Sequence, residues 1–318
     1  MLQPVKKIIC FARLQVDTLV AIFLLRQYGE RLFSGVAKAE LAFRAVLPAG
    51  ETVESLFAKE VLALDLGGGQ FDHHAHPGET VASLVAQALG VHEERILKKL
   101  LTWARRDDLE GKGTLSSDPL DRAFGLSGII TMLARQYQQR PEKVVELILP
   151  LFVAHLAEER GRQEVLPQEW KQLREAGQGG VFNIKTDRDT LRVAWARSNN
   201  IQLPGFLRAY FNIDAIVQQL QSGHINIITK QSRHLDLREV AAGLRAAELG
   251  KQGREGDCLT WQELQRAGCV EAIPEWFYDV AANSLQNGGV RPEGVPVTRL
   301  ALEEALEIVR LRLRGPAF

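Results

Sequence analysis

Residues 61–66, "VLALDL", are apolar on both faces. A strand without polar alternation must be covered from both sides, which is the situation inside a parallel sheet with crossover helices on each face. The residues before it fit that arrangement. "KKIICFA" reads as a short buried strand, "DTLVAIFLLRQYGERL" as a helix, "LAFRAVL" as a second strand closed by "PAG", and "ETVESLFAKE" as a short connecting helix. Strand, helix, strand, helix, strand predicts an α/β fold built on a parallel sheet.

From Thr80 the period changes. Val81, Leu84, Val85, Ala88 and Leu89 recur at helical spacing, with Thr80 placed to cap the start and Gly90 to close the end. Further helices are expected over about 93–106, 120–138, 141–160 and 167–175, the third opening on Pro141. At "REAGQGGVFNIKTDRDTLRVAWARSNN" glycine punctuation gives way to strands, so a boundary falls near residue 178. Beyond it, "AIVQQL" and "HINIITK" flank "QSG" as a hairpin, and "LDLREVAAGLRAAELG" and "TRLALEEALEIVRLRL" read as helices. The expected organisation is a parallel-sheet domain with a helical extension over 1–160, a connector over 161–177, and a smaller mixed α/β domain over 178–318.

At 318 residues the chain is long for a single core, which agrees with two domains. Lys plus Arg, 39, balance Asp plus Glu, 39, so there is no chain-wide attraction for nucleic acid or membrane, and any phosphate binding is local. Three dispersed cysteines, Cys10, Cys258 and Cys269, form no C-x-x-C pair and are expected to be free thiols in a reducing compartment. The opening "MLQPVKKIICFARLQVD" lacks the pattern of a signal peptide, and a cytoplasmic location is expected.

The chemistry gathers in "DLGGGQFDHHAHPGET". Asp65 ends a strand, where parallel sheets bind their ligands, and three glycines then let the chain reverse before Asp72, His73 and His74. Carboxylate oxygen combined with imidazole nitrogen suits a manganese-, iron- or zinc-class ion rather than calcium. A helix beginning at Thr80 offers N–H groups to a phosphate. Elsewhere, His224 in "SGH" is either a turn residue or a phosphate contact across a cleft between the domains, and His92 and His155 carry no signal beyond ordinary packing.

"FDHH" after a strand-terminal Asp resembles the third motif of the DHH phosphoesterase superfamily. The spacing from Asp65 is most similar to the melanocyte-proliferating-gene (Myg-type) exonuclease branch, and the resemblance covers roughly residues 5–125. It implies a DHH-like N-terminal domain and a metal-dependent phosphoesterase or exonuclease, with a divalent metal, manganese for preference, as cofactor. By the same resemblance Asp17, Asp65, His73 and Asp108 are metal ligands, Asp107 being the neighbour that competes with Asp108, which is preferred because it opens "D-x-x-G". Asp72 and His74 take catalytic roles, and His74, Thr80, Arg13 and His224 are the candidate substrate contacts. The substrate expected is a small phosphodiester or a single-stranded nucleic acid, presented by the second domain; no membrane partner is expected, and a homodimer is one assembly compatible with the chain.

The first motif departs from the family. Where a His and an earlier Asp belong, this chain has Arg13, Leu14 and Gln15. The resemblance assigns those missing residues to one metal of a pair, so a single ion is expected unless His76 substitutes as a ligand. Two-metal hydrolysis uses both ions on the reacting phosphate. The alternative reading is therefore a catalytically degenerate member acting as a metal or nucleotide sensor or as a scaffold.

Overall fold

Three short apolar runs form the first sheet: β1 (Lys7–Phe11), β2 (Glu40–Arg44) and β3 (Val61–Leu64). β1 is central and parallel to both neighbours, with Ile9 opposite Ala42 on one side and Ala63 on the other. Its side chains divide as a doubly covered strand requires. Ile8 and Cys10 enter a large core, whereas Ile9 joins Leu56 and Leu66 in a small one on the other face. This computed structural model describes residues 3–111, 117–187, 189–254, 259–289 and 292–316, and the chain divides into two units, Met1–Gln163 and Glu164–Phe318. Lys112, Gly113 and Cys258 lie outside the described residues.

Helix α1 (Val16–Tyr28) is buried without interruption from Val16 to Leu25, as an apolar circumference demands. The small core on the opposite face is closed by α2 (Val53–Ala58) through Leu56. α3 (Val81–Ala88) starts and stops on local signals: Ser83 N–H donates to Thr80 Oγ1 at 3.2 Å, and Thr80 N–H donates to Ser83 Oγ at 2.7 Å. At its end Gly90 N–H donates to Gln87 O and Val91 N–H to Ala86 O, a Schellman closure. Thr80→Ala is expected to cost about 1 kcal/mol in chemical denaturation. An unchanged midpoint would mean that tertiary packing alone holds this helix.

The remaining helices of this unit are α4 (Lys98–Leu109), α5 (Pro119–Phe124), α6 (Leu126–Gln136) and α7 (Pro141–Arg160). The single helix expected over 120–138 is two, because Gly125 turns extended at ψ 150°. α5 then folds so closely onto α6 that a Cβ on Gly128 would meet Arg122 O at 2.2 Å.

In the second unit come α8 (Leu166–Glu175), β4 (Gly179–Lys185), β5 (Thr190–Arg197), α9 (Leu203–Tyr210), β6 (Ala215–Gln219) and β7 (Ile225–Thr229). They are followed by α10 (Arg238–Lys251), α11 (Trp261–Leu264), β8 (Gly268–Val270), β9 (Ile273–Asp279), β10 (Ser284–Gln286) and α12 (Leu302–Arg312). The seven strands run β8-β9-β10-β7-β6-β5-β4, and β5–β6 is the parallel pair in an otherwise antiparallel sheet. β6 and β7 form the expected hairpin. α10 and α12 pack on one face, while Leu166 and Trp170 of α8, in the stretch read as a connector, pack with Ala194 and Ala196 on the other. Both units are α/β, with parallel pairing in the first sheet and mixed pairing in the second. Among the described residues no helix is long and apolar enough to cross a membrane.

Candidate metal centre

Asp65 follows the last residue of β3 and adopts φ 57°, a left-handed conformation that Asp tolerates better than most side chains. The glycines after it turn the chain sharply. Gly67 has φ 77°, and a Cβ there would meet Leu47 Cδ1 at 2.4 Å. The loop closes when Asp65 N–H donates to Phe71 O at 2.9 Å, which delivers Asp72, His73 and His74 back beside Asp65. Asp17 arrives from the first turn of α1 and Asp108 from the last turn of α4.

Two overlapping trios result: Asp17, His73 and Asp108, and Asp65, His73 and His74, each with one donor atom per residue within 4.8 Å of the others. Ligands on one ion at about 2.0–2.3 Å have separations of that order. His73 is the shared member. Its Nδ1 lies 3.1 Å from Asp65 Oδ1 and 4.0 Å from Asp17 Oδ2, and its Nε2 lies 3.5 Å from Asp108 Oδ2. The four residues expected to hold one ion therefore meet around a single imidazole, with Asp108 on the opposite edge of the ring from Asp65 and Asp17. Asp107 stands in neither trio, which favours Asp108 as the acid of this segment. His76 is exposed and joins neither.

The electrostatics are those of a site short of positive charge. Burial, reinforced by Asp108 and Asp65, pushes the Asp17 carboxyl up to about 6. Burial also raises Asp65, and the neighbouring His73 and His74 offset it only in part. Asp65 Oδ1, His73 Nδ1 and Asp108 Oδ2 are buried and make no hydrogen bond. Buried polar atoms without hydrogen bonds are costly, and these three, two from the loop after β3 and one from α4, fit a cation's donor set.

Asp72 and His74 behave differently. Although burial acts to raise it, Asp72 is held below the usual carboxylate range by Gly68 N–H at 2.8 Å, by the His74 ring and by His74 N–H. In return Asp72 Oδ1, 2.7 Å from His74 Nδ1, raises the His74 imidazole above its ordinary value. The His74 side chain is 72% exposed and stacks on His73 at 4.6 Å. It is an oriented, readily protonated ring at the edge of the centre.

Two expectations need correction. The start of α3 is not open to a phosphate: Val81 N–H donates to Asp17 Oδ2 at 3.2 Å, Ser83 N–H is taken by Thr80, and Thr80 itself is 1% exposed. The positive end of the helix steadies the Asp17 carboxylate instead. His224 is likewise committed, since Ser222 Oγ lies 2.9 Å from Nδ1 and Val295 O 3.1 Å from Nε2, in a residue 5% exposed. It holds its turn and has no nitrogen left for a substrate.

Arg13 and Gln15 are exposed and line a cavity of ≈ 820 Å³ that also reaches Asp107, Asp108, Arg135, Gln138 and Gln139. Arg135, Gln138 and Gln139 carry no sequence signal, because an Arg in the last turn of a helix is ordinary. Cys10 is buried and Cys269 exposed, and both are free thiols.

No family model matches the chain, and no curated protein matches it. Among solved structures the chain is similar to an uncharacterized protein from Helicobacter pylori G27, with 10% identity over 96% of this chain and 98% of that one and a TM-score of 0.23. A likeness at that score carries no argument about fold or function.

Proposed function

We propose that this chain is a metal-dependent phosphoesterase of DHH-like type, acting on small phosphodiesters or the ends of single-stranded nucleic acids. The observation that carries the reading is the meeting of Asp17, Asp65 and Asp108 around the His73 imidazole, with the exposed His74 ring stacked beside it and three buried donor atoms lacking any hydrogen bond. Mixed carboxylate and imidazole donors suit manganese. Such an ion supplies a nucleophilic water at neutral pH and positive charge for phosphoryl oxygens. The chain's own residues do the rest. Asp17, Asp65, His73 and Asp108 would hold the cation, Asp72 accepts from His74 N–H and fixes its ring at Nδ1, and the exposed His74 would meet an anionic oxygen or give a proton to a leaving group.

A second reading is favoured by one observation. Arg13 and Gln15 stand where the family resemblance places ligands of a second ion, and neither is suited to ligate one. A single-ion sensor would look the same. Calorimetry with Mn²⁺, followed by a phosphodiesterase panel of dinucleotides, single-stranded RNA and DNA, polyphosphate and cyclic dinucleotides, separates the readings. The enzyme reading expects about one ion per chain and turnover of at least one substrate. One ion without turnover supports the sensor, and no Mn²⁺ binding sinks both.

A further inference from the structure

We propose that Arg13 and Arg135 form a phosphate clamp in the cavity beside Asp108, supplying as guanidinium charge part of what a second cation would give. The inference rests on the phosphoesterase reading for its catalytic meaning, though the clamp itself is tested without turnover. Arg13 lies in the loop between β1 and α1, and Arg135 in the last turn of α6, so two separate elements bring positive charge to one cavity. Both side chains are exposed, and neither guanidinium has an ion-pair or hydrogen-bond partner among the described residues. The cavity's other charges are Asp107 and Asp108, and Asp108 belongs to the Asp17–His73–Asp108 trio. Among the described residues, a phosphate approaching that trio therefore enters a space whose free cations are these two arginines.

The rest of the lining fits a nucleotide-sized phosphate ester. Leu14 and Ile130, 4% and 2% exposed, give the cavity an apolar floor, and Gln15, Gln138 and Gln139 put exposed amides around it. Its volume of ≈ 820 Å³ lies in the range of small-molecule sites. Guanidinium is also the group whose planar fork matches phosphate oxygens in pairs, and it cannot lose its charge near neutral pH. Lysine at either position would keep the charge and lose the fork.

Adenosine 5′-monophosphate is the probe, with adenosine as the control that lacks phosphate, and binding is measured calorimetrically on full-length protein with and without Mn²⁺. Wild type is expected to prefer the monophosphate over adenosine. Arg13→Ala and Arg135→Ala are each expected to weaken the monophosphate by about tenfold, as loss of a charge-assisted contact does. Adenosine binding, Mn²⁺ stoichiometry and the melting temperature should stay unchanged, and Arg105→Ala, on the exposed surface of α4 and outside the cavity lining, should behave as wild type. Equal binding of monophosphate and adenosine by wild type, or undiminished monophosphate binding by the Arg13→Ala, Arg135→Ala double variant, overturns the clamp. Failure of the phosphoesterase reading looks different: no Mn²⁺ bound, with the arginine-dependent preference for phosphate intact.

Discussion

Replacing Asp65 with Asn is expected to weaken Mn²⁺ binding by more than about a hundredfold and to remove any Mn²⁺-dependent turnover, while leaving the fold in place. Removing a partner that only orients a ligand costs about 10–100-fold in affinity, so loss of the ligand's own charge should exceed that range. Asn is the informative substitution because of the backbone. Asp65 sits at φ 57°, and Asn, besides Gly, is the residue most at ease there. Asp65→Ala would mix loss of ligation with strain in the loop that places His73. Asn also leaves a neutral group where burial disfavours the charged carboxyl, so the metal-free melting temperature should hold or rise. Mn²⁺ affinity equal to wild type would show that Asp65 is not a ligand.

The parts of this structure that could be read ahead are those decided by local chemistry. Thr80 and Gly90 bracket α3 because a cap and a Schellman closure need only residues within one turn. The turn from Asp65 to Asp72 was legible because glycines were needed wherever Leu47 and Val53 press on it, although those neighbours could not be named. What failed depends on distant partners. Asp17 fills the start of α3 from 64 residues away, so an apparent phosphate site is an internal contact. The Val295 carbonyl that captures His224 lies 71 residues on. The break at Gly125 depends on how α5 packs against α6, which no periodicity encodes. Arg135 joins the cavity only because α6 passes the loop carrying Arg13, and its sequence neighbours give no hint of that.

The contact between Asp17 and Val81 also changes the physical picture of the centre. Helix dipole, N–H group and neighbouring acids all act on Asp17, and they act in opposite directions. Val81 N–H favours its charged form, while Asp108 and Asp65 disfavour it and burial disfavours it most. The raised carboxyl shows which side prevails without a cation.

That balance predicts an inverted pH dependence in the chelated protein. The Asp17 carboxyl moves from an ordinary 3.8 to about 6 on folding, so the folded state holds its proton more tightly than the unfolded chain does. An acid raised in this way contributes its full stability below the unfolded value and loses it as pH rises through the folded one. Between about pH 4 and pH 7 the metal-free protein should therefore lose up to about 3 kcal/mol from this group alone. Carboxylates held low, such as Asp72 and Glu159, contribute stability that disappears on acidification, so the signal is the difference between wild type and Asp17→Asn. Asp17→Asn keeps an oxygen for Val81 N–H and cannot ionise. It should be more stable than wild type above about pH 6, converge with it near pH 4, and gain little from Mn²⁺. Wild type should recover the lost stability when Mn²⁺ binds, since the ion supplies the charge that the cluster lacks. Urea denaturation at stepped pH, with chelator and then with Mn²⁺, measures both effects. Parallel curves for the two proteins across that range would mean that Asp17 is not the strained member of the centre, and Asp65, whose carboxyl burial also raises, would be the next to test.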